Sequence, residues 1–172
     1  MRIRVLFAPL AFVATFAVQA APAEAASAVQ STNCPSGLCA QFAAEDAIPV
    51  IKSYSFTMPG AGSAAITFNG SLFCASTVIA DKVIDLVSAI GTTSSGSIPA
   101  TTPSYLRHAH VLKDDADHSF DSSTSFNLAS TRVINYSSGG SKQVYFRIAR
   151  LRQDDGTTCY VNGGSFSVIV TP

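Results

Sequence analysis

The amino-acid sequence predicts an all-β chain that folds as an antiparallel sandwich of two sheets. The chain is rich in Ser, Thr, Gly, Val and Ile, which favour strands and turns. Turn signals recur about every ten residues, which is the spacing typical of sandwich folds. The single helical candidate, Gln41 to Ala47, is too short to determine the fold class.

Turn residues divide the first half of the predicted sandwich into strands. Pro59-Gly60-Ala61-Gly62 ends the first strand, and Asn69-Gly70 marks either a hairpin turn or a glycine bulge in a longer strand. Asp81-Lys82 forms a turn between two β-branched segments. The predicted strands are 51–58, 65–76, 77–80 and 83–90, followed by a Gly-, Ser- and Thr-rich loop over 91–102 that offers little to bury.

The second half of the chain continues the strand pattern. Strand character returns at 104–112 and at 126–135, and a period-two alternation follows over 144–151. We expect a terminal hairpin, with strands 157–161 and 165–171 joined by Asn162-Gly163-Gly164. A jelly roll is expected ahead of an immunoglobulin-like topology, because the chain contains no Trp and its cysteines do not flank one.

The first 25 residues predict a secretory signal peptide. Arg2 and Arg4 precede an apolar run over 5–18, and small residues ending in Ala23-Glu24-Ala25 follow. The run is too short to cross a bilayer, and no later segment has the roughly eighteen apolar residues of a transmembrane helix. The expected organisation is a signal peptide (1–25), an N-terminal arm with a local disulfide (26–50) and a sandwich domain (51–172). The expected destination is the periplasm, the cell surface or the extracellular medium.

Four cysteines remain after this cleavage, and an even number in an exported chain predicts two disulfides. Of the three pairings, we favour Cys34–Cys39 with Cys74–Cys159, since Pro35 and Gly37 can turn the chain between the first two. Cys74 and Cys159 both lie in predicted strands. We therefore expect their bridge to join either neighbouring strands or opposing sheets.

All three histidines lie in one polar cluster that also contains four aspartates. His108 and His110 are expected on one face of a strand, where His118 or an aspartate such as Asp117 could complete a site for zinc or copper. The aspartates alone could bind calcium, although the helical calcium-loop pattern is absent. The competing interpretation is a solvated strand end and loop. We predict no cofactor, with this zinc, copper or calcium site as the alternative.

Other signals argue against several function classes. Removal of the signal peptide leaves nine basic and ten acidic residues without a basic cluster, which argues against nucleic-acid binding. The sequence contains neither a Gly-x-Ser-x-Gly elbow nor a His-Glu-x-x-His motif, so an enzyme is disfavoured. Arg147, Arg150 and Arg152 could form an anion-binding stripe, but a solvated face compensated by Asp154 and Asp155 is preferred.

The sequence therefore predicts a secreted, non-catalytic β-sandwich that acts as a binding or structural module. Exposed edge strands and sheet faces make self-association plausible, and a surface glycan or protein is the other class of partner considered. The alternative function is a metal-binding protein or metal-dependent extracellular enzyme centred on the histidine cluster. A third hypothesis is that the chain is a subunit of a surface assembly and pairs through an exposed edge or through its N-terminal arm. Deletion of residues 26–50 should then abolish assembly and leave the domain folded.

Overall fold

The computed structural model describes residues 28–78, 80–113 and 123–172, so the predicted signal peptide lies outside the described residues. The strands are β1 (Ala28–Asn33), β2 (Leu38–Ala43), β3 (Val50–Met58), β4 (Gly62–Ser76), β5 (Lys82–Gly91), β6 (Leu106–Leu112), β7 (Ser123–Asn127), β8 (Ser130–Tyr136), β9 (Gly140–Gln153) and β10 (Thr157–Thr171). A short 3-10 turn, Pro35–Gly37, lies between β1 and β2. The all-β class predicted from composition is confirmed.

The strands form two antiparallel sheets. In the first, sheet A, β10 and β4 lie at the centre; β1 and β2 pair end to end with β10, and β7 and β8 pair end to end with β4. The second, sheet B, has the order β3-β9-β5-β6. When each end-to-end pair is counted as one strand, the eight strands follow the orders 1-8-3-6 and 2-7-4-5. This is the jelly-roll arrangement, as predicted.

Aromatic side chains from both sheets meet in the centre of the sandwich. Phe68 of β4 stacks on Phe146 of β9 with ring centroids 3.8 Å apart, and Phe166 of β10 packs edge-on against Phe68 at 5.3 Å. All three side chains are buried, together with aliphatic residues at alternate positions of the strands. The apolar residues at alternate positions of the strands therefore pack together in one core between the two sheets.

The structure contains the two disulfides that the sequence favoured. Cys34–Cys39 closes the turn between β1 and β2, where Gly37 adopts a positive φ of 76°. Cys74 and Cys159 lie directly opposite each other in the register of β4 and β10. The longer bridge therefore joins neighbouring strands within sheet A rather than the two sheets.

The predicted terminal hairpin is wrong, because β10 runs without interruption through Asn162-Gly163-Gly164. Gly163 and Gly164 lie opposite the single Gly70 of β4, so the register shifts by one residue. Gly163 has a φ of 64°, a conformation that glycine adopts in bulges as readily as in turns. The continuous β4 also shows that Asn69-Gly70 is not a hairpin turn.

The N-terminal segment belongs to the sandwich, in contrast to the predicted arm. Both β1 and β2 are hydrogen-bonded along one edge of β10, whose 15 residues provide room for two short strands end to end. The helical prediction for Gln41 to Ala47 is wrong, since residues 38–43 form β2. The prediction that residues 26–50 can be deleted without loss of the fold is also incompatible with this pairing.

Two connecting segments differ from their predictions. Thr77 and Val78 lie outside the strands, so the predicted strand over 77–80 is wrong. The loop after β5 buries more than expected, because Ile98 packs with Val87 and Ala89 on the outer face of sheet B. This small second cluster holds the loop against the sheet.

Candidate functional site

The most distinctive surface of the protein is the outer face of sheet A, which carries no charged side chain among the residues that the structure describes. Within the six strands of this sheet Arg132 is the one charged residue. Its position in β8 points inward, where its Nη1 donates a 2.7 Å hydrogen bond to the carbonyl of Ile90 in sheet B. We call the outer surface the uncharged face.

The uncharged face is formed by small polar, aliphatic and aromatic residues at alternate strand positions. Its members are Val29, Ser31, Asn33, Leu38, Gln41, Ala43, Ser63, Ala65, Thr67, Asn69, Ser71, Phe73, Ala75, Ser123, Ser125, Asn127, Thr131, Val133, Asn135, Thr158, Tyr160, Asn162, Ser165, Ser167, Ile169 and Thr171.

Apolar residues on this face form a row across the sheet. Val29, Ile169, Ala65 and Val133 are successive partners in the register of β1, β10, β4 and β8. Val29 is 71% exposed, Val133 62% and Ile169 45%. Exposed apolar side chains scattered singly are common, whereas a contiguous row is typical of an interaction surface.

A second apolar contact lies on the same face. Phe73 of β4 and Tyr160 of β10 are paired in the register, and their ring centroids are 6.2 Å apart. Both side chains are half-buried. Aromatic residues combined with an absence of charge resemble the core of protein–protein interfaces, from which Lys, Glu and Asp are depleted.

Sheet B has the opposite character. Its four strands contain eight charged residues, seven of them basic. On its surface Arg107 Nε donates to Asp85 Oδ1 at 2.8 Å, and Arg152 Nε donates to Asp154 Oδ1 at 2.8 Å. These hydrogen bonds lower the pKa values of both carboxyl groups. The two sheets therefore present surfaces of different chemistry.

The structure places His108 inside the sandwich rather than in an open site. Its Nε2 lies 2.8 Å from Ser88 Oγ, and its ring packs edge-on against Phe126 of β7 with centroids 5.5 Å apart. Ser88 is 0% exposed and His108 5% exposed. Burial lowers the pKa of the His108 imidazole. The Ser88–His108 pair therefore has no access for a substrate, and one imidazole nitrogen is already engaged.

His110 lies on the same face of β6 as His108, as predicted, but its side chain is exposed. Its ring centroid is 6.5 Å from that of Phe126. The other two proposed ligands, Asp117 and His118, lie outside the described residues. Among the residues that are described, no three His, Cys, Asp or Glu side chains are grouped as a metal site would require. The metal site stays a prediction.

The three arginines of β9 do not form one stripe. Arg152 is paired with Asp154, one of the two aspartates that were predicted to compensate these arginines. Arg147 and Arg150 instead line a cleft beside the β2–β3 connection, where they donate to backbone carbonyls. In the described part of the chain, neither is within ion-pair distance of a carboxylate.

Sequence reasoning singled out the histidines and missed the uncharged face. A signal was present, because the segments 62–76 and 157–171 contain no Asp, Glu, Lys or Arg. Charge-free strands are expected where both faces are buried or where one face contacts a partner. The signal becomes specific only when the register places these two segments side by side.

Comparisons with known proteins do not assign a family. No protein-family model matches this sequence, and no curated protein matches it. The chain is similar to solved structures of infectious bursal disease virus. One, of the Gx strain, has 13% identity and a TM-score of 0.40, covering 95% of this chain and 37% of that chain. Another, of the VP2 subviral particle, has 15% identity and a TM-score of 0.32, covering 84% and 33%.

The structure of the T13 viral particle has 12% identity and a TM-score of 0.34, covering 84% of this chain and 31% of that chain. This chain therefore spans about a third of the length of the viral chains. All three TM-scores are below 0.5. No helix among the described residues is long and apolar enough to cross a membrane.

Proposed function

We propose that this protein is an exported, non-catalytic structural module that self-associates through the uncharged face of sheet A. The observation that carries the proposal is the absence of charge from this face, which contains a row of exposed apolar side chains. A second copy is the partner that matches it best. Two uncharged faces can meet without desolvating a charge and without like-charge repulsion.

The size of the face supports a second copy as the occupant. Its central strands β4 and β10 have 15 residues each, so they are about 50 Å long at about 3.4 Å per residue. Four strands at about 4.8 Å spacing are about 19 Å wide, and the face therefore measures about 950 Å². A standard interface buries about 800 Å² per partner. A face-to-face pair related by a two-fold axis would be large enough to be stable.

Export is supported by the predicted signal peptide and by the two disulfides. Disulfides persist in oxidising compartments and are rare in the cytosol. A structural rather than catalytic role is supported by the burial of Ser88 and His108, the one Ser–His hydrogen bond among the described residues. The surface that supports the proposed function is the uncharged face of sheet A, which is a sheet face rather than a catalytic cleft.

Sedimentation of matched variants tests this proposal. Ile169→Lys places a charge in the centre of the apolar row, where Ile169 is flanked by Val29 and Ala65. Leu151→Lys is the control, because Leu151 is 56% exposed but belongs to β9 of sheet B. We expect the unmodified chain and L151K to sediment as dimers or larger species, and I169K as a folded monomer that melts in one cooperative transition. Its melting temperature should be independent of protein concentration, in contrast to that of the associating chains. The proposal would be refuted if the unmodified chain stayed monomeric at all concentrations. It would also be refuted if the unmodified chain, L151K and I169K associated equally.

A further inference from the structure

A cleft of about 350 Å³ lies between the β2–β3 connection, the loop after β5 and strand β9. The β2–β3 connection forms one side, the loop after β5 contributes another, and residues 147–150 of β9 form the remaining wall. Ile48, Pro49 and Ile148 give it an apolar part. Its volume lies at the lower end of the range for small-molecule sites in proteins.

Two guanidinium groups line this cleft without a carboxylate partner among the described residues. Arg147 Nη1 donates to the carbonyl of Gly96 at 2.9 Å, and its Nε is buried without a hydrogen-bond partner in the described part of the chain. Arg150 Nη2 donates to the carbonyls of Ala43 at 2.8 Å and Asp46 at 3.0 Å. Arg150 Nε also donates to Gln153 Oε1 at 3.0 Å. Neutral oxygen atoms therefore orient both guanidinium groups but do not neutralise them.

This arrangement contrasts with that of the two other arginines of sheet B and of the neighbouring Lys113. Arg107, Arg152 and Lys113 each have a carboxylate within 2.8 Å of a side-chain nitrogen. A guanidinium presents five N–H donors in a planar fork that matches an oxyanion. Arg147 and Arg150 are held in place by neutral oxygen atoms, and each has N–H donors that make no hydrogen bond to a described carboxylate. Sites that bind phosphate or carboxylate groups require arginines in this arrangement.

From this geometry we infer that the cleft, which we call the arginine cleft, binds a small molecule or a chain end that carries a carboxylate, sulfate or phosphate group. Arg147 is the principal contact, and Arg150 adds positive charge. Ser94 and Ser95 supply hydroxyl groups beside the arginines, and the apolar residues contact the rest of the ligand. None of the residues that line the cleft belongs to the uncharged face, although Ala43 of that face accepts a hydrogen bond from Arg150. The inference therefore does not rest on self-association.

Asp46 is the acidic residue of the arginine cleft. Its Oδ2 accepts a 2.8 Å hydrogen bond from the backbone amide of Ala43, so it stabilises the turn after β2. Its charge opposes anion binding at the same time. Asp46→Asn keeps an oxygen acceptor for that amide and removes the charge, so it should strengthen binding.

Calorimetric titration of the disulfide-intact chain at low ionic strength tests the inference. The probes are sodium glucuronate, sodium phosphate and sodium sulfate, with glucose as the neutral counterpart of glucuronate. The variants are Arg147→Gln, Arg147→Lys and D46N, and Arg152→Gln is the control, because Arg152 lies on the same strand but is already paired with Asp154. Thermal melting of each variant establishes that it is folded.

We expect at least one anion to bind and glucose not to bind. R147Q should weaken that binding about tenfold or more, which corresponds to the loss of a charge-assisted hydrogen bond. R147K should show intermediate affinity, R152Q unchanged affinity and D46N tighter binding. Binding of glucuronate alone would identify an acidic sugar or similar carboxylate, whereas binding of inorganic phosphate or sulfate would identify the bare oxyanion. Absence of binding by all three anions, or full affinity in R147Q, would overturn the inference.

Discussion

Ile169 in β10 lies directly opposite Val29 in β1, and both side chains are exposed on the outer face of sheet A. On its other side Ile169 faces Ala65 of β4, which in turn faces Val133 of β8. The row therefore crosses sheet A from one edge to the other through four of its six strands. No charge interrupts the row on the described outer face, and its burial against a second copy would be the basis of the proposed self-association.

Val133→Glu should weaken self-association as Ile169→Lys does, although Val133 lies near the opposite edge of the sheet. Both substitutions place a charge in the same row, and a charge buried without a partner costs several kcal/mol. Analytical ultracentrifugation should show a lower weight-average mass for V133E. The same substitution at Val111, which is exposed on sheet B, should leave the mass unchanged. Equal effects at the two positions would contradict this assignment.

The free energy of unfolding should decrease as the pH falls below about 6.5, because burial lowers the pKa of His108 from its usual value of 6.5. The unfolded chain binds a proton at this histidine in a range where the folded chain does not. Stabilisation is therefore complete above the unfolded pKa and is lost as the pH falls towards the folded pKa. Urea denaturation between pH 7 and pH 5, about the range of histidine titration, measures this slope.

His108→Gln should flatten that slope, because the substituted side chain does not titrate there. It should also lower the overall free energy of unfolding by about 1–3 kcal/mol, since the hydrogen bond to Ser88 is disturbed in the core. His110→Gln is the control, because His110 is an exposed histidine of the same strand, and it should leave the stability at pH 7 unchanged. A slope that responds to H110Q and not to H108Q would contradict the assignment to His108.

Removal of the Cys74–Cys159 bridge should cost more than removal of Cys34–Cys39. The first bridge closes 85 residues and the second only 5. In the chain-entropy model these loops correspond to about 4–5 and about 2 kcal/mol. Urea denaturation of the double alanine variants measures both. A larger loss from C34A/C39A would show that packing of the short bridge, rather than loop length, determines its contribution.

Gly164→Ala should destabilise the fold through the short disulfide. A Cβ at this position would overlap Cys39 Sγ and would lie 2.9 Å from both Cys34 Sγ and the Phe68 ring. The bridge and the ring must move, and overpacking of this kind typically costs about 1–3 kcal/mol. Gly60→Ala is the control, since its Cβ would meet nothing within 4 Å. Equal melting temperatures for the two variants would contradict the predicted overlap.

Several features of the fold could be predicted from local sequence signals. Strands such as β3 and β9 have period-two patterns, and the pairing of Cys34 with Cys39 followed from the turn residues between them. The sequence Asn162-Gly163-Gly164 predicts a turn where the structure has a bulge, because a glycine with positive φ is found in turns and in bulges. Only the long partner strand β4 distinguishes the two possibilities.

Other features depend on contacts between distant segments. Six-residue strands such as β1 and β2 are stabilised by pairing with β10, and the paired residues of β1 and β10 are about 140 positions apart in the chain. The sequences of these short strands therefore carry little signal of their own. The uncharged face and the arginine cleft are also products of the register. The sequence shows that Arg147 and Arg150 are charged, but it does not show that Asp154 pairs with Arg152 alone among the three arginines of β9.

The dependence of molar mass on salt, measured by light scattering over a range of protein concentrations, distinguishes association through the uncharged face from association through sheet B. Association through the uncharged face should persist or strengthen as the sodium chloride concentration rises, since apolar burial is not screened. Association through the charged surface of sheet B should weaken instead. A chain that is monomeric throughout, or that dissociates as salt is added, would contradict the assignment of the uncharged face as the interface.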